Sequence, residues 1–186
     1  MVDFLTLRRF GRINTQRKIH SDILEIIITM EDKELDLDEL FRKAEGKPIE
    51  VNGKSLVRID RFTLPRKKIS LKFNFLEINS EWKQGFILKT RGSFKVNQNS
   101  IIKNAIVLWE DTAPNEFVLN VDSKDGVLLV YNVWDFGDGV TQAWHNGAAI
   151  NIERSFSKKV YHCNDGHLGL DLNNLVFSMS WEQNDL

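Results

Sequence analysis

From residue 47 onward the apolar residues tend to recur at every second position, and this period of two constrains the chain more than any other feature. Ile69, Leu71, Phe73 and Phe75 alternate with polar neighbours, as do Phe117, Leu119 and Val121, and again Phe177, Met179 and Trp181. Successive strand side chains point to opposite faces, so the pattern predicts half-buried strands with one face in the core and the other in water. Asn52-Gly53, between Ile49-Glu50-Val51 and Lys54–Ile59, suits a type I′ turn and predicts a hairpin. Asp125-Gly126 and Asn146-Gly147 predict two more, joining 116–122 to 127–134 and 140–145 to 148–153. Many short strands at close spacing predict a mainly β chain, with an antiparallel β-sandwich of jelly-roll type as its packing solution.

One helix interrupts this pattern. Leu37, Leu40, Phe41 and Ala44 fall on a single helical face. Asp36 is placed to cap its first amides, with Glu39 three residues on and Gly46 as the left-handed stop. Ile23–Met30 is dense in β-branched residues and reads as a strand. The expected organisation is an N-terminal strand and helix elaboration over 1–60 followed by a β-sandwich over 61–186, or one domain throughout.

With 42% hydrophobic and 27% charged residues among 186, the chain has the material for a core. Its net charge of −1 argues against a globally basic nucleic-acid binder, and no nucleic-acid partner is expected. The charge is unevenly spread: residues 1–100 hold 20 Lys and Arg against 14 Asp and Glu, and residues 101–186 hold 5 against 12. The run Arg66-Lys67-Lys68 reads as a solvated face. The first 20 residues lack the apolar run of about 7 to 15 residues that a secretory signal needs, and no stretch approaches the ~18 of a membrane span. Cys163 is the only cysteine, so no internal disulfide forms. These features lead to the expectation of a soluble cytoplasmic protein with no membrane partner.

Groups able to do chemistry or binding concentrate in the last third. Residues 131–147 set Trp134, Asp135, Asp138, Trp144 and His145 around a glycine-rich connection. Trp134 and Trp144, flanking that turn, suit an exposed surface that anchors a partner protein or small ligand. No specific catalytic motif is present, so the leading expectation is a non-catalytic binding protein that needs no cofactor. Asp171-Leu172-Asn173-Asn174, running into an apolar strand, resembles the acidic loop of calcium-dependent sugar-binding β-sandwiches. That resemblance implies Asp171, Asn173 and Asn174 as calcium ligands, to which Asp165 is added, although Leu172 stands where the pattern has an aromatic and Asn174 where it has an Asp. A third reading is a metal- or cysteine-dependent hydrolase built on His145, His162, Cys163 and His167, with Asp165 as the orienting group.

Overall fold

The computed structural model describes residues 35–96 and 100–182; the expected strand at 23–30 and the basic residues before it lie outside this range. The described residues from Asp36 onward form one compact unit. The described part is mainly β, with 58% of its residues in strands and a single helix, α1, over Leu37–Lys43. That helix ends as its sequence predicts. The Asp36 carboxylate accepts from the Glu39 amide at 2.9 Å, and Gly46 takes φ +73°.

The strands are β1 (Ile49–Val51), β2 (Lys54–Val57), β3 (Asp60–Thr63), β4 (Lys68–Ile78), β5 (Lys83–Val96) and β6 (Ser100–Trp109), then β7 (Glu116–Ser123), β8 (Val127–Asp135), β9 (Ala149–Arg154), β10 (Lys158–Asn164) and β11 (Leu175–Trp181). All eleven belong to one antiparallel sheet, ordered β1-β2-β9-β10-β11-β4-β7-β5-β8-β3, with β6 on the other side of β5. This sheet curls into a half-barrel, whereas a jelly roll stacks two separate sheets.

The curl originates in β5. Its first half, Lys83–Lys89, pairs with β8, and its second half, Gly92–Lys95, pairs with β7. Two strands thus occupy the same edge of β5 in succession, and the sheet bends where they meet. At the corner Thr90 Oγ1 lies 2.7 Å from the Val127 carbonyl and 2.8 Å from Ser123 Oγ, which replaces ladder bonds lost in the bend.

The three expected hairpins fare differently. Asn52 and Gly53 both adopt positive φ, and β1 pairs with β2 around them. Asp125-Gly126 does turn the chain between β7 and β8, but those strands both bond to β5 instead of to each other. Residues 140–145 are not a strand; only Gln142 bridges to Trp134, and β9 pairs with β2 and β10.

The core fills the inside of the curl. Tyr161, Phe177 and Phe86 are stacked with centroids 4.6 and 4.0 Å apart, and Phe73 and Phe117 extend the column. Phe86 comes from β5 and Phe177 from β11, so this column packs one limb of the curl on the other; each such aromatic pair adds about 0.5–1.5 kcal/mol beyond its burial.

A buried polar cluster ties β3, at the end of the sheet, to β10. Asp60 accepts from Lys159 Nζ at 2.5 Å and from the Tyr161 hydroxyl at 2.9 Å, with all three residues under 7% exposed. Lys159 also stands 4.3 Å above the Phe62 ring. Burial pulls the Lys159 pKa down, with Asp60 opposing that shift. Burial first, and then the Asp60 charge, hold Tyr161 well above the ordinary value of 10.0. Tyr131, the other tyrosine, is raised by burial.

A group whose pKa is higher folded than unfolded contributes stability below its unfolded pKa and loses it as pH rises towards its folded value. Both tyrosines therefore favour the folded state below about pH 10. An ultraviolet titration should show little tyrosinate there in the folded chain, with ionisation and alkaline unfolding coinciding at higher pH. Free titration of both tyrosines near their ordinary value, with the fold intact, would contradict the burial described here.

Candidate functional site

At one end of the half-barrel, three segments meet: residues 79–82 before β5, the loop 136–148 after β8 and the loop 165–174 after β10. Asp165 organises them. It is fully buried, and one carboxylate oxygen accepts from Ser80 Oγ at 2.8 Å and Gln84 Nε2 at 3.0 Å. The other oxygen accepts from the His167 amide at 2.9 Å and meets His167 Nδ1 at 2.8 Å. Asn174 Oδ1 accepts from the Asp165 amide at 3.0 Å. Asn164, 1% exposed, donates to the Gly147 and Gly169 carbonyls and accepts from the Asp171 amide, so one amide side chain clasps two loops. Buried networks of this kind hold a loop in one conformation, and Gln84 Oε1 is left in it without a donor.

On this base sits an aromatic cluster. His167 stacks on Trp82 with ring centroids 3.5 Å apart and 12° between planes, and Phe136 meets Trp82 edge-on at 4.4 Å. Phe136 is 43% exposed and Leu168, next to His167, is 63% exposed. Along the same loop Val140 and Trp144 are also exposed, and Trp144 packs against Tyr131 at 4.7 Å.

Trp144 adopts φ +65° and Asn146 φ +51°, a left-handed region that is costly for a bulky side chain. Arg58 supports this segment by donating to the Trp144 and Asn146 carbonyls. The same guanidinium pairs with Asp38 at 2.6 Å and lies 4.9 Å over the Phe41 ring, so α1 braces the loop through it.

The expected binding residues separate by exposure. Trp144 is at the surface as its position suggests, but Trp134 is fully buried and cannot present its ring to a partner. The reason is Gly166: a β-carbon there would lie 2.6 Å from Trp134 Cζ2, so the missing side chain is what lets the indole pass inward beneath the loop. His145 is 5.2 Å from that indole and bonds Gln142 at 3.0 Å. Asp135 accepts from the Gly137 and Gly139 amides, bonds that lower its pKa, and Asp138 accepts from the Val140 amide, so both carboxylates shape their own turn.

Three of the four residues expected to hold calcium use their side-chain oxygens in hydrogen bonds. Both oxygens of Asp165 and the carbonyl oxygen of Asn174 are used in the network above. Asp171 caps the Asn173 amide at 3.0 Å, and Asn173 is exposed. Among the described residues no three His, Cys, Asp or Glu side chains assemble into an arrangement able to hold a metal ion.

The hydrolase set is dispersed in the same way. Cys163 is buried in the core and its thiol pKa is pushed up by burial, opposite to what a nucleophile needs. His162, on the other face of β10, lies 3.3 Å from Glu153. His145 and His167 belong to different loops.

Trp82, Phe136, Asp165 and His167 carry the observed site, and of these Asp165 and His167 are the ones singled out in the sequence. Trp82 falls between two strands with no motif around it, and its role depends on a stacking partner 85 positions away. No protein-family model matches the chain, and neither a curated protein nor a solved structure shows significant similarity to it. No described helix is long and apolar enough to cross a membrane.

Proposed function

We propose that this protein is a non-catalytic binding protein that holds a partner protein or ligand through the loops at the Trp82 end of its curled sheet. The observation that carries this reading is the partly exposed Trp82–His167–Phe136 cluster, held in place by the fully hydrogen-bonded Asp165. Aromatic rings fixed in advance lose little conformational entropy on binding, which is why such clusters dominate interface energetics. The strained backbone at Trp144 fits the same reading, since strain of this kind collects where a surface is shaped for contact. The buried thiol and scattered histidines favour binding over catalysis. The cytoplasm, expected from the sequence, remains part of the proposal.

The test is a Trp82→Ala/Phe136→Ala double variant compared with the parent in affinity capture and thermal melts. It is expected to melt within roughly 5 °C of the parent and to lose the partner that the parent retains. Retention of that partner by a folded double variant would overturn the reading. In the same melts calcium or zinc should leave the parent's midpoint unchanged; a calcium-specific rise would transfer the proposal to a calcium-dependent sugar-binding module.

A further inference from the structure

The outer face of the sheet, independent of the loop end, carries a second surface. Five neighbouring strands, β11, β4, β7, β5 and β6, present three rows of directly paired side chains. One row runs Lys68–Asp122–Ser93–Lys103, the next Ser70–Asn120–Lys95–Ile101, and the third Ser180–Lys72–Val118. At a strand spacing of about 4.8 Å these rows extend roughly 19 Å across the sheet. They line a groove of about 980 Å³ that shares Ser93, Ile101 and Asp122 with a neighbouring hollow of about 460 Å³.

The charge of this surface departs from that of the chain. Arg66, Arg91 and Lys124 join the four lysines of the rows, giving seven cations against three carboxylates, Glu116, Asp122 and Glu182, or +4 on one face of a chain whose net charge is −1. Asp122 reaches Lys68 at 3.4 Å, and Lys72 pairs with Glu116 at 2.9 Å. Lys95, Lys103 and Lys124 have no carboxylate partner among the described residues.

Two exposed aliphatic side chains stand among these cations: Ile101 is 67% exposed and Val118 54%. Aromatic platforms, on which single-stranded nucleic acid stacks, are absent from the three rows. Trp181, at the rim of the groove, packs against Phe62 at 4.9 Å instead. We infer that this groove binds an extended protein segment in which acidic side chains alternate with aliphatic ones, the carboxylates meeting the lysines and the aliphatic groups covering Ile101 and Val118. Opposite charge steers and orients such a partner, and the apolar contacts favour it over a purely polyanionic one.

The test is fluorescence anisotropy with the full chain and a labelled peptide of about twelve residues, roughly 40 Å extended, repeating Glu-Val-Glu-Ser. Controls are the same peptide with Gln for Glu and an oligothymidylate of similar length. Saturable binding of the acidic peptide is expected, weakened about tenfold when salt rises from roughly 0.05 to 0.5 M, with no binding of the Gln peptide. Lys95→Glu/Lys103→Glu should weaken it by at least about tenfold at an unchanged melting temperature, and Val118→Ser by a smaller factor. The salt titration on the parent gives a readout independent of any variant. Failure of the acidic peptide to bind, equal binding of the Gln peptide, indifference to the double lysine reversal or tighter binding of oligothymidylate would each overturn the inference.

Discussion

Replacing Asp60 by alanine is expected to destabilise the fold by about 3–5 kcal/mol, because it leaves the Lys159 ammonium buried with no counter-charge. The Tyr161 hydroxyl loses its acceptor at the same time. Arg154 approaches the same carboxylate at 3.7 Å but is largely exposed and contributes little. For a chain of this length the loss corresponds to a fall in melting midpoint of roughly 10 °C. The partner experiment is Asp60→Ala combined with Lys159→Met, which removes both charges and leaves an apolar chain of similar length in contact with Phe62. The double variant should recover much of the lost stability, since replacing a buried pair with apolar groups is often neutral. Equal destabilisation of the single and double variants, measured by chemical denaturation, would show that the pair is not the element linking β3 to β10.

Gly92→Ala is expected to be at least as damaging. A β-carbon at Gly92 would fall well inside van der Waals contact of the Asp122 carbonyl oxygen and within 2.9 Å of its carbonyl carbon, both backbone atoms of β7 that cannot step aside as a side chain does. The strands would have to separate at the point where β5 changes partner. The cost should exceed the roughly 1–3 kcal/mol of ordinary overpacking, so little folded protein is expected near physiological temperature. Gly126→Ala provides the contrast: its β-carbon meets only Lys67 Cγ at 3.9 Å, so its penalty comes from φ +72° alone. That penalty is about 1–2 kcal/mol. Similar midpoints for the two variants would argue against a steric corner at Gly92.

These two positions also show where the sequence becomes silent. Gly92 lies in a fourteen-residue strand and carries no turn signal, because what requires it is a carbonyl thirty residues away. Asp60 precedes an apolar strand and reads as an ordinary polar flank; only the approach of β10 makes it a buried acceptor. The aromatic site follows the same logic. Trp134 and Trp144 both flank a glycine-rich turn, and their local sequences do not distinguish the one that Gly166 admits to the interior from the one that stays at the surface. The basic groove was legible only in its first member, Arg66-Lys67-Lys68, because its remaining cations are spread over β4, β5, β6 and the turn between β7 and β8.

What the sequence determined by itself is local in origin. The period of two produced the strands around Phe73, Leu119 and Phe177; Asp36, Glu39 and Gly46 bounded the helix; Asn52-Gly53 closed a hairpin, since these effects act over a few residues. Which strands pair, and hence which polar groups are buried and which rings stay wet, was decided by the tertiary structure. Two strands in turn meet one edge of β5, so the sheet curls on itself, and only that long-range closure turns Asp60, Asp165 and Gly166 from loop and strand-edge residues into the parts that hold the molecule together.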